Sequence, residues 1–321
     1  MSTAVLADIG GTNARFALTR DGEVHAETHL KVADYAGPAE ALRDFLDRAG
    51  PDPVPQRAAL AIAAPVESEV VPLTNSPWVV ASDEIKAALG FESLTLINDF
   101  GAIAWAIPRL SEADLAPIGG GRSAAGAPFA VIGPGTGLGV AGMVSTEAGP
   151  AVLATEGGHV TMPAADARDE AILGHLRRRL GHVSAERVLS GGGLTRLYET
   201  VRDLDGQPAP DRGADAITKH ALAGDCPVSV AALDAFCAML GTVAGNLALT
   251  LGAHGGVYLA GGIPPRILEY LRRSDFRARF EAKGRFCDYL ATIPTSVIVH
   301  PDPAFVGLVH LLEWQDGRGA L

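Results

Sequence analysis

Two short motifs with the same pattern constrain the fold of this 321-residue chain more than any other feature. The first runs from residue 4 to 18 as a predicted strand, a turn with a glycine pair, and a second strand of alternating polarity. The second runs from residue 129 to 144 and repeats this order around a longer glycine-rich turn. Two copies of one supersecondary motif indicate a chain built from two similar halves.

Both turns are suited to binding phosphate groups. Glycines have no Cβ, so their backbone N–H groups can approach phosphate oxygens closely, and a threonine in each turn adds a hydroxyl donor. Asp8 ends the first strand, where a carboxylate could hold a hydrated cation beside those phosphates. For this first turn, an ordinary tight hairpin with a surface Asp is the alternative. The second turn has four glycines in seven residues, a pattern that favours phosphate binding.

Two familiar nucleotide-binding motifs are excluded. Residues 137–142 fit the pattern G-x-G-x-x-G. A dinucleotide-binding fingerprint needs a helix directly after its glycines, and here the sequence predicts a strand. The P-loop string G-x-x-x-x-G-K-[ST] does not occur in the sequence. A phosphate site in this chain therefore depends on the two glycine turns.

The junction at residues 94–107 supplies a candidate catalytic base. The apolar run 94–97 predicts a buried strand, and a helix is expected from Phe100 to Ile107. Asp99 falls between them, and open α/β sheets bind ligands at the carboxyl ends of their strands. An Asp at this position could take a proton from a bound hydroxyl group. The alternative is that Asn98 or Asp99 only caps the helix.

Three further polar stretches could bind a ligand that carries hydroxyl groups. The turn 74–76 offers hydroxyl and amide groups, although such residues also form ordinary turns. Glu156 and His159 flank a glycine pair and could converge on one small polar ligand. Glu186 begins a short helix that is predicted to end at the glycines 191–193, and it could bind a ligand or complement the helix dipole.

Composition and charge narrow the possible partners. The net charge of −11 makes nucleic acid an unsuitable partner and does not attract free ATP, so an anionic ligand would need backbone amides or a metal ion. The three cysteines form no C-x-x-C pair and are expected to be buried or semi-buried thiols in a reducing compartment. No signal peptide and no uninterrupted apolar run of membrane-spanning length is expected, which predicts a cytoplasmic protein.

Taken together, these motifs resemble the bacterial glucokinases of the hexokinase-type, actin-like ATPase superfamily, and specifically the non-repressor group. The zinc-binding cysteine cluster and the helix-turn-helix of related repressor kinases do not occur in this sequence. The shared strings, in chain order, are residues 8–15, 74–78, 97–100, 133–139, 156–159, 182–187 and 260–263.

The resemblance implies an α/β chain with the ribonuclease H-like (actin-like ATPase) fold and two domains with a cleft between them. The small α/β domain would be residues 1–110, completed by 301–321, and the large α/β domain would be residues 111–300. Glucose and ATP would bind in the cleft, whose closure excludes water as a competing acceptor. The partners would be these small molecules, with no nucleic acid and no membrane, and the chain would form a homodimer.

The implied activity is ATP-dependent phosphorylation of the 6-hydroxyl of D-glucose, the first step of glycolysis, with Asp99 as the base. The resemblance assigns the glucose hydroxyls to Asn98, Asp99, Glu156, His159, Glu186, Thr74 and Asn75. It assigns ATP to Asp8, Ile9, Gly10, Gly11, Thr12, Asn13, Gly133, Gly135, Thr136, Gly137, Gly261 and Gly262. Gly261 and Gly262 would approach the adenosine, and Asp8 would hold Mg²⁺ through water.

Three alternatives stay open from the sequence. The same chemistry could act on fructose, mannose or an amino sugar, because the motifs do not fix ring stereochemistry. Polyphosphate or ADP could replace ATP as the donor, although the negative net charge disfavours a long polyanion. A non-catalytic sugar sensor could use the same fold, and the presence of Asp99 argues against it.

Overall fold

The computed structural model describes residues 3–317, so residues 1–2 and 318–321 of the predicted small domain lie outside the described part. The described chain divides into two compact units. The first unit comprises the chain up to Ser111 and again from His300, and the second comprises Glu112–Val299.

The described residues form strands and helices throughout both units. The strands are β1 (Thr3–Ile9), β2 (Asn13–Arg20), β3 (Glu23–Lys31), β4 (Arg57–Ile62), β5 (Val70–Pro72), β6 (Val79–Ala81), β7 (Ser93–Asn98), β8 (Leu115–Gly119), β9 (Phe129–Pro134), β10 (Leu138–Thr146), β11 (Gly149–Thr155), β12 (Val257–Leu259) and β13 (Thr295–Ile298). The helices are α1 (Pro38–Ala49), α2 (Ser82–Leu89), α3 (Asp99–Ala106), α4 (Ala167–Leu180), α5 (Ala185–Val188), α6 (Gly191–Asp205), α7 (Ala214–Ala223), α8 (Pro227–Leu251), α9 (Leu268–Arg273), α10 (Phe276–Glu281), α11 (Cys287–Ala291) and α12 (Pro303–Gln315).

The sheet of the first unit has the strand order β3-β2-β1-β4-β7 in the described residues. Strands β1, β2 and β3 pair antiparallel, whereas β1, β4 and β7 run parallel. The register places Ile9, Ile62 and Asn98 in one row across the parallel strands. The turn after β1 and the start of α3 therefore lie at the same edge of the sheet, where open α/β sheets bind ligands.

Strand β7 is an outer strand of this sheet, and its residues 94–98 are only partly buried. The expectation of a buried strand was wrong here. An apolar run of four residues predicts a strand, but it does not show whether a second strand pairs with the outer side.

Helices cover both faces of the first sheet. One face packs against α1 and α2 through buried side chains such as Phe45 and Ile85. The other face packs against α3 and α12. Gly307 of α12 lies so close to α3 that a Cβ at this position would be 1.8 Å from the carbonyl oxygen of Ala102. The closing helix therefore supports the helix that begins at Asp99.

The second unit repeats the topology of the first. Its sheet has the order β11-β10-β9-β12-β13-β8 in the described residues, again with antiparallel β9, β10 and β11 followed by parallel β12 and β13. Only β8, antiparallel to β13, extends this pattern. The two similar halves predicted from the repeated motif are confirmed, and the paired topology is that of the ribonuclease H-like fold.

Helix α8 forms the centre of the second core. Gly241 and Gly245 allow α10 to pack closely, since Cβ atoms there would lie 2.1 and 2.4 Å from the carbonyl oxygens of Phe276 and Phe280. By length and composition α8 could cross a membrane, and Asp234 and Asn246 interrupt its apolar residues, as the sequence expectation stated. However, 72% of its apolar window is buried inside the protein, as in the core helix of a globular protein.

The cysteines differ in exposure. Cys226 and Cys237 are buried, as expected, and burial raises the pKa of the Cys237 thiol to about 12. Cys287 is exposed at the start of α11, so the expectation of buried or semi-buried thiols was wrong for this residue. Its neighbours Arg285 and Phe286 are also exposed, so this whole turn lies at the surface although it contains an apolar side chain.

Candidate active site

The N-cap Asn98 and the candidate base Asp99 lie next to each other where β7 ends and α3 begins. Asn98 is the N-cap of α3, and its Oδ1 accepts the N–H groups of Phe100 at 3.0 Å and Gly101 at 3.1 Å. Its Nδ2 donates to the carbonyl oxygen of Ala64 at 3.3 Å. Asp99 is the first helical residue, and its Oδ1 accepts the N–H of Phe100 at 2.9 Å. The capping function thus falls mainly to Asn98, and Asp99 lies in the first turn of the same helix.

The first glycine turn connects β1 and β2 and contacts the turn 74–76. The N–H of Gly10 donates to the carbonyl oxygen of Asn13 at 3.0 Å. A Cβ on Gly11 would lie 2.6 Å from the carbonyl oxygen of Asn75, so only glycine fits this contact. The two predicted segments are therefore brought together. Their exposed side chains are Thr12, Asn13, Thr74 and Asn75.

Asp8 and Ile9 have different environments at the end of β1. Asp8 is paired in register with Arg15 on β2, and its Oδ2 accepts a hydrogen bond from that guanidinium. The Asp8 side chain is 15% exposed. Ile9 is fully buried in the core, so its side chain has no surface to offer a nucleotide.

The second glycine turn occupies the equivalent position in the second unit. Pro134 pairs with Leu138, and the N–H of Gly135 donates to the carbonyl oxygen of Gly137 at 2.8 Å. Thr136 is exposed at the tip. Gly133, by contrast, is a buried residue of β9 rather than part of the turn. Because β10 follows the turn directly, the rejection of the dinucleotide fingerprint is confirmed.

Glu186 contacts the strand that leaves this turn. It lies in α5, whose N-cap Ser184 accepts the N–H of Arg187 at 3.3 Å. Its Oε2 accepts the N–H of Leu138 at 2.9 Å. A Cβ on Gly137 would lie 2.6 Å from the same oxygen. The carboxylate therefore lies directly beside the glycine turn.

Glu156 and His159 lie on a short 3-10 turn against the same strand. The Oε2 of Glu156 is 3.7 Å from Nε2 of His159, and both side chains are more than half exposed, at 56% and 60%. Between them, a Cβ on Gly158 would lie 2.1 Å from the carbonyl oxygen of Leu138. The glycine pair thus allows this turn to pack against the backbone of β10, and the convergence of Glu156 and His159 on one ligand stays a prediction.

The glycines 191–193 begin α6 rather than ending α5, so that expectation was wrong. Ser190 is the N-cap and accepts the N–H of Gly193 at 3.0 Å. The N–H of Gly191 donates to the carbonyl oxygen of Gly135 at 2.9 Å. A serine before a glycine run serves equally as a turn and as a cap, so the local sequence did not distinguish the two.

A cavity of about 700 Å³ opens beside the second glycine turn. Gly262 has nothing within 4 Å of a Cβ position and lines this cavity, whereas Gly261 does not. Gly261 has φ +80° and packs against β9, where a Cβ would lie 2.5 Å from the carbonyl oxygen of Pro134. The residues lining the cavity are Gly135, Thr136, Gly191, Leu194, Ala214, Asp215, Thr218, Lys219, Leu222, Gly262, Ile263, Arg266 and Ile267.

Sequence reasoning missed most of this lining. The walls come from three separate stretches of the chain, namely the second glycine turn, helices α6 and α7, and the segment from Gly262 onward. Apolar residues such as Leu194 and Leu222 have the same helical periodicity whether they face a core or a cavity. No local signal separates the two cases.

The repeated sheet and its paired glycine turns define a protein of the actin-like ATPase class. The family model of glucokinase matches residues 5–315. The chain is 52% identical to the glucokinase of Paramagnetospirillum magneticum over 315 residues, which covers 97% of this chain and 98% of that one. It is 47% identical to the glucokinase of Nitrobacter hamburgensis over 308 residues, with 96% of both chains covered.

A solved structure agrees with these relatives. The crystal structure of glucokinase from an Antarctic psychrotroph superposes with a TM-score of 0.87 at 37% identity, covering 96% of this chain and 98% of that one. The chain belongs to the glucokinase family, and it is an enzyme that phosphorylates glucose with ATP. The resemblance inferred from the motifs is confirmed.

Proposed function

We propose that Asp99 is the base that accepts the proton of the glucose 6-hydroxyl as the γ-phosphoryl group of ATP is transferred. The observation that supports this proposal is the position of Asp99 at the start of α3, beside the N-cap Asn98. Asn98 accepts the N–H groups of Phe100 and Gly101, and Asp99, whose Oδ1 also accepts the N–H of Phe100, lies at the edge where β1, β4 and β7 end. A carboxylate there is in position for general base catalysis.

The sugar hydroxyls are bound, in this proposal, by the polar side chains that the motifs single out. A carboxylate accepts several hydrogen bonds, so an acid-rich set suits a neutral polyol. The exposure of the Glu156 and His159 side chains supports their part in binding. The proposed ligands are Asn98, Asp99, Glu156, His159 and Glu186, with Thr74 and Asn75.

The phosphates are bound by the two glycine turns and the adenosine by the cavity beside Gly262. Each turn offers backbone N–H groups together with an exposed threonine, Thr12 or Thr136. The mixed lining of the cavity, with apolar Leu194 and Ile267 beside polar groups, suits a base and a ribose. Ile9 and Gly133 take part only through their backbone, because both are buried strand residues.

Mg²⁺ is the metal we propose, held by Asp8 through water. In the described part of the chain, no group of three His, Cys, Asp or Glu residues could hold a metal ion by itself. This fits Mg²⁺, which keeps several waters and binds through one or two carboxylates together with nucleotide phosphates. When bound, the ion would neutralise phosphate charge during transfer. The positive charge of the ion is needed here because the protein itself has a net charge of −11, which repels a phosphate anion.

The chain's own contribution to the reaction is positioning and charge. The glycine turns orient the phosphates, the acidic side chains orient the sugar, and Asp99 accepts one proton from the 6-hydroxyl. We also propose a cytoplasmic homodimer. A cytoplasmic location agrees with the burial of α8, and the mass in solution would test the dimer.

The variant Asp99→Asn tests the base directly. It keeps the shape of the side chain but cannot accept the proton, so kcat is expected to fall by roughly 10²- to 10⁴-fold. Glucose binding, measured by calorimetry, should weaken much less, because an amide still hydrogen-bonds a hydroxyl. A variant with near-normal kcat would show that Asp99 is not the base.

A further inference from the structure

Arg15 joins two carboxylates that are far apart in the sequence. Its Nη2 donates to Oδ2 of Asp8, and its Nη1 donates to Oδ1 of Asp302. All three side chains are largely buried, with exposed fractions of 29% for Arg15, 15% for Asp8 and 21% for Asp302. One guanidinium therefore serves both acids in a region shielded from water.

The side chain of Asp302 does not cap the helix that follows it. It is the N-cap residue of α12, where an Asp normally accepts an N–H of the first helical turn. The structure shows no such side-chain bond, although the helix is 13 residues long. Its backbone N–H donates to Nδ1 of His300 at 3.0 Å, which fixes the turn, and the carboxylate extends to Arg15. The Asp302 carboxylate therefore forms an ion pair with Arg15 and makes no capping hydrogen bond to α12.

The charges of Arg15 and Asp302 change the electrostatic potential at the Asp8 carboxylate. With Asp302 present, one positive charge is shared between two negative charges, and the cluster keeps a net charge of about −1. Burial alone would lower the pKa of Arg15, but the charge and hydrogen bond of Asp8, with the charges of Asp302 and Glu27, outweigh it and the pKa is raised. The guanidinium therefore stays charged. Without Asp302, more of the positive charge of Arg15 would act on Asp8 and weaken its attraction for a cation.

We propose that Asp302 is a positioning residue for Asp8, acting through Arg15. It holds one half of the guanidinium, fixes the orientation of the Asp8 carboxylate and preserves the negative charge that attracts hydrated Mg²⁺. This inference rests on the proposed role of Asp8 in holding the metal.

A purely structural role for Asp302 predicts a different result. In that case the ion pair would only anchor α12 to the sheet, and its loss would lower stability without changing metal dependence. The chain offers a matched control at the other end of the same helix. There Asp316 accepts hydrogen bonds from Nη1 of Arg57 on β4 at 2.7 and 2.9 Å, so Asp316→Asn also removes an ion pair between α12 and the sheet.

The experiment titrates Mg²⁺ at a fixed concentration of the non-hydrolysable analogue AMPPNP and follows the rise in melting temperature, which reports ligand binding to the folded state. For Asp302→Asn, we expect the Mg²⁺ midpoint to rise about tenfold, as when an outer partner of a metal ligand is removed. For Asp316→Asn, we expect the wild-type midpoint. Steady-state assays should show the same change in Mg²⁺ dependence with an unchanged KM for glucose.

The variant Asp8→Asn distinguishes the proposed role of Asp302 from that of Asp8. If it raises the Mg²⁺ midpoint but Asp302→Asn does not, the positioning role of Asp302 is wrong and the role of Asp8 stands. If Asp8→Asn leaves the midpoint unchanged, the proposed metal role of Asp8 is wrong, and the inference for Asp302 is overturned with it.

Discussion

At the scale of single residues, two neighbouring polar side chains at the start of α3 accept backbone N–H groups, and one of them is the proposed base. Asn98 satisfies the N–H groups of Phe100 and Gly101, which otherwise have no helical partner. Asp99 also contacts the N–H of Phe100, at 2.9 Å. If Asn98 did not cap the helix, Asp99 would be the nearest acceptor available to replace it. A cap is therefore part of what holds the proposed base in position.

The variants Asn98→Ala and Asn98→Ser test whether Asn98 caps α3 and thereby holds Asp99 in position. The alanine variant removes the cap and should lower the free energy of unfolding by about 1 kcal/mol. It should also lower kcat, because Asp99 is drawn toward the exposed N–H groups. The serine variant offers a capping hydroxyl, so it should regain most of the stability in urea unfolding. Wild-type stability of the alanine variant would contradict the capping role.

At the scale of elements, glycines at the strand ends have two distinct uses. Some permit backbone contacts that no side chain would tolerate, such as Gly11 against Asn75 and Gly158 against Leu138. Others leave open space beside a cavity, as Gly262 does. The adjacent pair at 261–262 contains one glycine of each kind.

Gly261→Ala and Gly262→Ala should therefore separate stability from nucleotide binding. Gly261 has a positive φ and no room for a Cβ, so its replacement should cost about 1–3 kcal/mol of stability. The methyl group of Gly262→Ala would enter the cavity, raise the KM for ATP and leave thermal unfolding unchanged. Equal losses of stability in both variants would contradict this assignment.

At the scale of the whole molecule, the sequence predicted two similar halves, but it did not predict which strands lie next to each other in each sheet. The motifs starting at residues 4 and 129 were visible because a strand, a glycine turn and a strand are local patterns. Their consequence, the same strand order in each unit, is confirmed by the sheets. The position of β7 at the edge of the sheet, where its residues are only partly buried, was not predictable, since strand pairing is set by residues distant in the sequence.

The same limit applies to the candidate site. Asp99 and Glu186 could be proposed because each follows a local junction with a recognisable motif. Asp302 and the cavity residues Lys219 and Arg266 could not, because their positions depend on contacts made only after folding. Local pattern also misassigned the start of α6, where Ser190 and the following glycines fit a turn as well as a helix start.

The most direct test of the central claim measures ADP release from Mg-ATP by the purified protein, with glucose, fructose, mannose and glucosamine as separate acceptors. We expect rapid glucose-dependent ADP release, with glucose 6-phosphate formed in equal amount and weaker turnover of the other sugars. Absence of turnover with glucose, in protein that binds ATP and unfolds cooperatively, would contradict it.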